Sequence, residues 1–245
     1  MFVQVIDQYR RLVSYLGRYD DSEDPANVQA MQMVLRIEKN DPPGRHRLLV
    51  AAARSVALLC LDPRVADDGE WAAPMDAWCD ARIRKIARRA RGAQWLAAQD
   101  VAGVTAEVDG AMARAYVPGR VGEVDKRIAK LQIGGTDIDG DLPGDEPAPT
   151  APGGLTLWVN PDLAMTVGKT AAQVGHAAML GVRLMTEAEA ADWYAAGCPL
   201  DVRRPGPDHW AQLTAAVAAG RVVGVQDAGF TEIEPGSLTV VAERR

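Results

Sequence analysis

Residues 155–180 read LTLWVNPDLAMTVGKTAAQVGHAAML, and this stretch decides how the C-terminal part of the chain folds. Its first five residues are typical of a buried strand, and a helix is predicted to begin near Gly168. On that helix Ala171, Val174 and Ala178 share one side, where small apolar residues can pack on a sheet. A strand followed by such a helix favours a sheet with helices on its faces.

The opposite side of the same helix is polar and carries Lys169, Gln173 and His176. At 100° per residue these three side chains fall within about 60° of one another. A cation in the first turn opposes the helix dipole, so Lys169 is best placed if it has an anionic partner or ligand. A stripe of this kind on a solvated helix face is nevertheless common, and by itself it does not establish a site.

A second polar segment begins at Gln226 and Asp227, directly after the apolar stretch 222–225. An acid at the C-terminal end of a buried strand is where α/β folds place functional groups. Gly229 allows a sharp turn, and Thr231 offers a hydroxyl close by. An ordinary turn that uses the Asp side chain is the alternative on local sequence alone.

The rest of the chain predicts a two-domain α/β protein. Residues 133–154 carry five acids and no Lys or Arg among many Gly and Pro, which is typical of a flexible acidic linker. After it, residues 155–245 predict the order β-α-α-β-α-β-β, a three-layer α/β/α domain with a small mixed sheet. Before it, residues 1–132 predict a smaller, helix-rich α/β domain of order β-α-α-β-β. The elements predicted there are a helix at 2–16, a strand at 31–38, helices at 48–61 and 74–99, and a hairpin at Asp109-Gly110.

Composition limits the function classes. The net charge of −6 argues against a protein that coats nucleic acid, so any basic surface must be local. The three cysteines have no metal-ligand spacing, which predicts no structural zinc and a reducing, cytoplasmic location. No apolar stretch is long enough to span a bilayer, and residues 1–18 do not have the pattern of a signal peptide.

Two long signatures make the C-terminal part specific. Residues 162–178, DLAMTVGKTAAQVGHAA, resemble the opening signature of type-2 peptidyl-tRNA hydrolases. Residues 227–240, DAGFTEIEPGSLTV, are similar to the closing signature of that family, and Trp193 with Gly197 matches the step between them. The resemblance covers about 90 residues in the family's order and spacing. Ala164 departs from it, because many members carry Lys there.

The resemblance implies a hydrolase that cleaves the ester between peptide and tRNA, with tRNA as partner and no cofactor or metal. It also suggests a homodimer, since members of the family are commonly dimeric. Lys169 and Asp227 would form the catalytic core, while Thr231 and Gln173 would hold the water or the ester carbonyl. His176 would carry a proton or orient other groups.

The N-terminal part has one distinctive feature, a basic segment at residues 82–91. Read as a helix, it places its apolar residues on one face and its six cations on the other. Contact with tRNA phosphates is one interpretation, and pairing with the domain's own acids is the alternative. The candidate tRNA contacts are Arg82, Arg84, Lys85, Arg88, Arg89 and Arg91.

Two other functions remain open at this point. A non-catalytic protein could use the same fold to hold tRNA or a protein partner, but it would have no need to retain Lys169, Gln173, Asp227 and Thr231. An enzyme acting on a different ester or amide is the other alternative. The sequence does not separate this second alternative from a peptidyl-tRNA hydrolase.

Overall fold

The computed structural model describes residues 5–15, 22–146, 153–227 and 232–244. These residues form two mixed sheets with helices packed on them, which confirms the predicted α/β class. The N-terminal half consists of α1 (Ile6–Ser14), β1 (Gln29–Arg36), α2 (Arg45–Cys60), α3 (Ala72–Cys79), β2 (Arg84–Ala90), α4 (Gly92–Ala98), β3 (Gly103–Val108), β4 (Ala111–Tyr116), β5 (Gly119–Arg120) and α5 (Lys126–Ala129).

The N-terminal sheet has the strand order β2-β1-β4-β3, and the short β5 also pairs with β1. Strands β1 and β2 are parallel, whereas β4 runs antiparallel to both β1 and β3. The predicted hairpin is confirmed, because Val108 pairs with Ala111 across Asp109 and Gly110. Both turn residues have positive φ, 45° and 82°, as a two-residue hairpin loop requires.

The predicted helix over 74–99 was wrong. A helix ends at Cys79, a strand occupies Arg84–Ala90, and a second short helix begins at Gly92. The strand forms because residues 84–90 pair in parallel with β1 along their whole length, and this pairing outweighs local helix propensity. Gly92, at φ 48°, was the local sign of a break.

The C-terminal half has the predicted order of elements. They are β6 (Leu155–Val159), α6 (Val167–Leu180), α7 (Glu187–Ala195), β7 (Leu200–Arg203), α8 (Pro207–Ala218), β8 (Val223–Gln226) and β9 (Leu238–Arg244). The sheet order is β7-β6-β9-β8, with β6 and β7 parallel and the other pairs antiparallel. Leu157 and Ala242 face α6, while Trp158 and Val241 pack with Leu213 of α8. The small mixed sheet between two helical layers is therefore as predicted.

The two halves pack through their first long helices. Helix α2 lies against α6, and residues of both helices belong to one continuous hydrophobic core. Almost every side of α2 is buried, because one side covers its own strands β3 and β4 and the other meets α6. Beyond its first turn the helix is almost entirely apolar, which is expected of a helix buried on two sides. The division into two domains at residues 133–154 stays a prediction.

The described parts of the predicted linker, residues 133–146 and 153–154, have no helix or strand, and residues 136–145 contact the C-terminal half. The buried Thr136 accepts a hydrogen bond from the backbone amide of Gly168 at 3.0 Å. The Asp145 carboxylate accepts from the amide of Gly206 at 2.8 Å and lies 2.6 Å from Nδ1 of His209. These contacts hold the segment near the start of α6 and near α8.

Candidate active site

Lys169 and Asp227 form an ion pair at the edge of the C-terminal sheet. Lys169 is in the first turn of α6, and Asp227 follows the last residue of β8. Lys169 Nζ lies 2.5 Å from Asp227 Oδ1, and the side chains are only 11% and 7% exposed. The anionic partner expected for a cation at this helix terminus is therefore present.

Gln173 extends this pair into the protein. Its Nε2 donates to Asp227 Oδ1 at 2.8 Å, and its Oε1 accepts from the Thr239 hydroxyl at 2.8 Å. Thr239 is fully buried in β9. The carboxylate of Asp227 is thus held by donors from two successive turns of α6. Gln173 is itself held in place by the hydrogen bond from Thr239 in the sheet. Such a supporting shell keeps a reactive group in one orientation.

Glu232 fixes the start of α6. Its carboxylate accepts from the Thr166 amide at 3.0 Å and from the Thr166 hydroxyl at 2.8 Å. The same hydroxyl caps the helix by accepting from the Lys169 amide at 3.2 Å. Neither Glu232 nor Thr239 was among the predicted site residues. Both lie inside the closing signature at 227–240, which was the only sequence sign of their role.

His176 lies one turn beyond Gln173 and contacts the N-terminal half. Its Nδ1 is 3.1 Å from Nζ of Lys85, which is on strand β2. Burial, followed by the charges of Lys85 and Lys169, holds the pKa of His176 well below its ordinary value. The imidazole is therefore neutral at pH 7 and accepts a hydrogen bond from Lys85.

Burial also lowers the pKa of Lys85, from its ordinary value of 10.5 to about 7. Between about pH 7 and pH 10.5, Lys85 is mostly protonated in the unfolded chain and mostly deprotonated in the folded protein. The free energy of unfolding should therefore rise with pH across that range. We expect wild-type protein to gain more free energy of unfolding than Lys85→Met on going from about pH 7 to about pH 9. Denaturant titrations at both pH values measure this, with exposed Lys130→Met as control. Equal gains in all three proteins would contradict it.

The predicted basic residues do not share one helical face. Arg82, Arg84 and Lys85 line a cleft of about 860 Å³ that also contains Lys169 and Asp227. Arg88 donates to the backbone carbonyls of Ala129 and Leu131, and Arg89 donates to Gln132 Oε1. Arg91 precedes α4. The cleft therefore lies between the two halves, and three of the six cations are on its N-terminal wall.

Thr231, the remaining predicted site residue, lies outside the described residues. Within the described ranges no three His, Cys, Asp or Glu side chains are grouped so that they could hold a metal ion. All three cysteines are buried, and burial raises the pKa of the Cys198 thiol, which makes it a poor nucleophile. Among the same residues, no helix has the length and apolar character needed to cross a membrane.

The C-terminal half of this chain is similar to known proteins. Residues 154–244 match the family model for peptidyl-tRNA hydrolase PTH2. The curated mouse (Mus musculus) protein "Peptidyl-tRNA hydrolase 2, mitochondrial" is 40% identical over 93 residues, which is 36% of this chain. The chain spans about half, 51%, of the length of that relative. The resemblance of the C-terminal part of this chain to the type-2 peptidyl-tRNA hydrolase family is thus confirmed over residues 154–244.

Proposed function

We propose that this protein hydrolyses the ester bond of peptidyl-tRNA, or of an N-substituted aminoacyl-tRNA, and releases free tRNA and peptide. The observation that carries the proposal is the buried pair of Lys169 and Asp227, with Gln173 also donating to Asp227, in the lining of a cleft. The family match over the same residues supports it. The mouse relative carries the same activity in its name.

The chemistry follows from the two charged groups. Hydrolysis of an ester needs an activated water, a stabilised oxyanion and a proton for the leaving hydroxyl. Asp227 orients a water and accepts its proton, because its carboxylate is held in one position by Lys169 and Gln173. The Lys169 ammonium then stabilises the oxyanion that forms on the ester carbonyl, or a nearby phosphate. When the C–O bond to the ribose breaks, the proton held by Asp227 passes to the leaving ribose oxygen, which restores the carboxylate.

The other residues position the reactants. Gln173, fixed by Thr239, keeps the carboxylate of Asp227 oriented. Thr231 is proposed to hold the water or the ester carbonyl. His176 is neutral and bonded to Lys85, so we assign it an orienting role rather than that of a proton carrier.

The cleft between the halves is the proposed place for the tRNA 3′ end. Its N-terminal wall carries Arg82, Arg84 and Lys85, and its C-terminal wall carries the ion pair. A tRNA phosphate bound to the N-terminal wall would bring the ester on the terminal ribose towards the ion pair on the C-terminal wall. The cytoplasmic location expected from the sequence stays a prediction, and the homodimer that the family resemblance suggests is not tested.

The direct test is hydrolysis of a radiolabelled N-acetyl-aminoacyl-tRNA by the purified full chain, without added metal. Release of the acyl group at a rate proportional to protein concentration would support the proposal. Salt-dependent tRNA binding without release would favour the non-catalytic alternative. Absence of both would contradict the proposed substrate.

The two arginines on the N-terminal wall of the cleft give a prediction about tRNA binding. Arg82→Glu together with Arg84→Glu should weaken tRNA binding, and the slope of log Kd against log salt should fall by about 1 for each lost phosphate contact. Filter binding at several salt concentrations measures both quantities.

The matched control for this pair is Arg221→Glu, which reverses a charge outside the cleft lining. The control should retain the wild-type salt slope. Equal slopes for all three proteins would remove these arginines from the proposed tRNA contact.

A further inference from the structure

The two halves share one order of elements and one sheet topology. From β1 to β4 the order is strand, two helices, strand, helix and two strands, and the same order runs from β6 to β9. In each half the spatial order of the four strands is second, first, fourth, third. The first strand is parallel to the second and antiparallel to the fourth in both. The two halves thus agree in the order of elements along the chain, in the order of strands in the sheet and in the directions of the strands.

The packing between the halves is reciprocal. The helices that follow the two first strands, α2 and α6, lie against each other, while α6 contacts β2 and α2 contacts β7. Lys85, the second residue of β2, reaches His176 near the C-terminal end of α6, and Asp201, the second residue of β7, lies 2.6 Å from His46 at the start of α2. The exchange therefore holds between the elements and not residue by residue. Contacts repeated in this exchanged form are those of a two-fold symmetric pair of subunits.

The equivalents of the catalytic pair are also close together in the N-terminal half. Arg47 is the third residue of α2, as Lys169 is the third residue of α6. Asp109 follows β3, as Asp227 follows β8. Arg47 Nε lies 3.5 Å from Asp109 Oδ2, so a cation and a carboxylate meet at the same place in both halves.

The N-terminal pair lacks the surroundings of a site. The side chains of Arg47 and Asp109 are 56% and 72% exposed. Four residues after Arg47 stands Ala51, so the amide that Gln173 supplies in the other half is missing. The two-residue turn at Asp109-Gly110 replaces the long segment 227–237. A solvated ion pair without a supporting shell has little capacity to activate a water.

We infer that residues 29–116 are a second, catalytically silent copy of the fold at residues 155–244, and that this copy is the built-in partner of the C-terminal copy. It occupies the face of α6 on which a second subunit would pack, and it supplies one wall of the single functional cleft. This inference goes beyond the proposed reaction, and it replaces the expected homodimer by an arrangement within one chain. Only the catalytic silence of the N-terminal copy rests on the proposed function.

The first test is the oligomeric state and binding stoichiometry of the full chain. Light scattering should give a mass near 26.2 kDa, because the partner is already present in the chain. Titration with deacylated tRNA should reach saturation at one tRNA per chain. A stable dimer of full chains, or two tRNA molecules per chain, would overturn the inference even if the hydrolysis assay failed.

The second test compares matched variants of the two pairs. Arg47→Ala and Asp109→Asn should hydrolyse N-acetyl-aminoacyl-tRNA within about twofold of wild type, as expected for exposed side chains outside the cleft lining. Lys169→Ala and Asp227→Asn should lose roughly 100-fold or more. Comparable losses in both pairs would show that the N-terminal copy is not silent. If wild type itself is inactive, the proposed reaction fails, and mass and stoichiometry still decide the inference.

Discussion

Asp227→Asn is expected to lower the rate of acyl-tRNA hydrolysis by about 10²–10⁴-fold, the usual contribution of a general base. The amide has nearly the same shape as the carboxylate, so it can still contact Lys169 and Gln173. It cannot accept a proton from water, however. Single-turnover release of the labelled acyl group measures the effect independently of product dissociation.

The matched control is Asp109→Asn, which makes the same chemical change at the end of β3. Asp227→Asn also leaves the buried Lys169 ammonium without its carboxylate, so the free energy of unfolding should fall. Circular dichroism and tRNA binding, measured well below the unfolding transition, should still be close to wild type, which separates loss of chemistry from loss of fold. Near wild-type turnover by Asp227→Asn would assign the reaction to another group.

Lys169→Met is expected to destabilise the fold as well as the reaction. The substitution removes the ammonium that lies 2.5 Å from Asp227, although that carboxylate is only 7% exposed. Breaking a buried ion pair by removing one partner costs about 3 kcal/mol or more in the free energy of unfolding. Urea denaturation at pH 7 followed by circular dichroism measures this cost.

The double variant Lys169→Met with Asp227→Asn distinguishes the charge effect from lost packing. It lacks the negative charge that has lost its ammonium partner in the single variant, so it should recover most of the stability that the single variant loses. Equal stability of the single and double variants would mean that the carboxylate is already well solvated in the folded protein.

The C-terminal site was predictable because each part of it has a local pattern. A helical period places Lys169, Gln173 and His176 on one stripe, and a buried strand places Asp227 at its end. The structure brings the first two residues onto the carboxylate of Asp227. His176 is directed instead towards Lys85. That contact joins residues 91 positions apart, and no local pattern reports it.

The prediction for the N-terminal half is wrong within residues 74–99, and this error conceals that the two halves have the same order of elements. Residues 84–90 have isoleucine and alanine at helical spacing, but they form a strand because β1 supplies a parallel partner. The prediction of one helix over 74–99 leaves out strand β2 and merges helices α3 and α4, so the predicted order is β-α-α-β-β. With β2 and α4 restored, the order is the same as that of residues 155–244. Parallel pairing is set by distant residues, so sequence periodicity alone does not reveal it.

The packing of α2 on α6 within one chain has a consequence for dilution. Two separate subunits dissociate as their concentration falls, and their melting temperature falls with it. Here the chain keeps the effective concentration of one half near the other constant at any dilution. The melting temperature of this protein should therefore not depend on protein concentration. In a homodimer every substitution appears in both subunits. In this chain a substitution in α2 leaves α6 unchanged, so one half can change in sequence while the other keeps its chemistry.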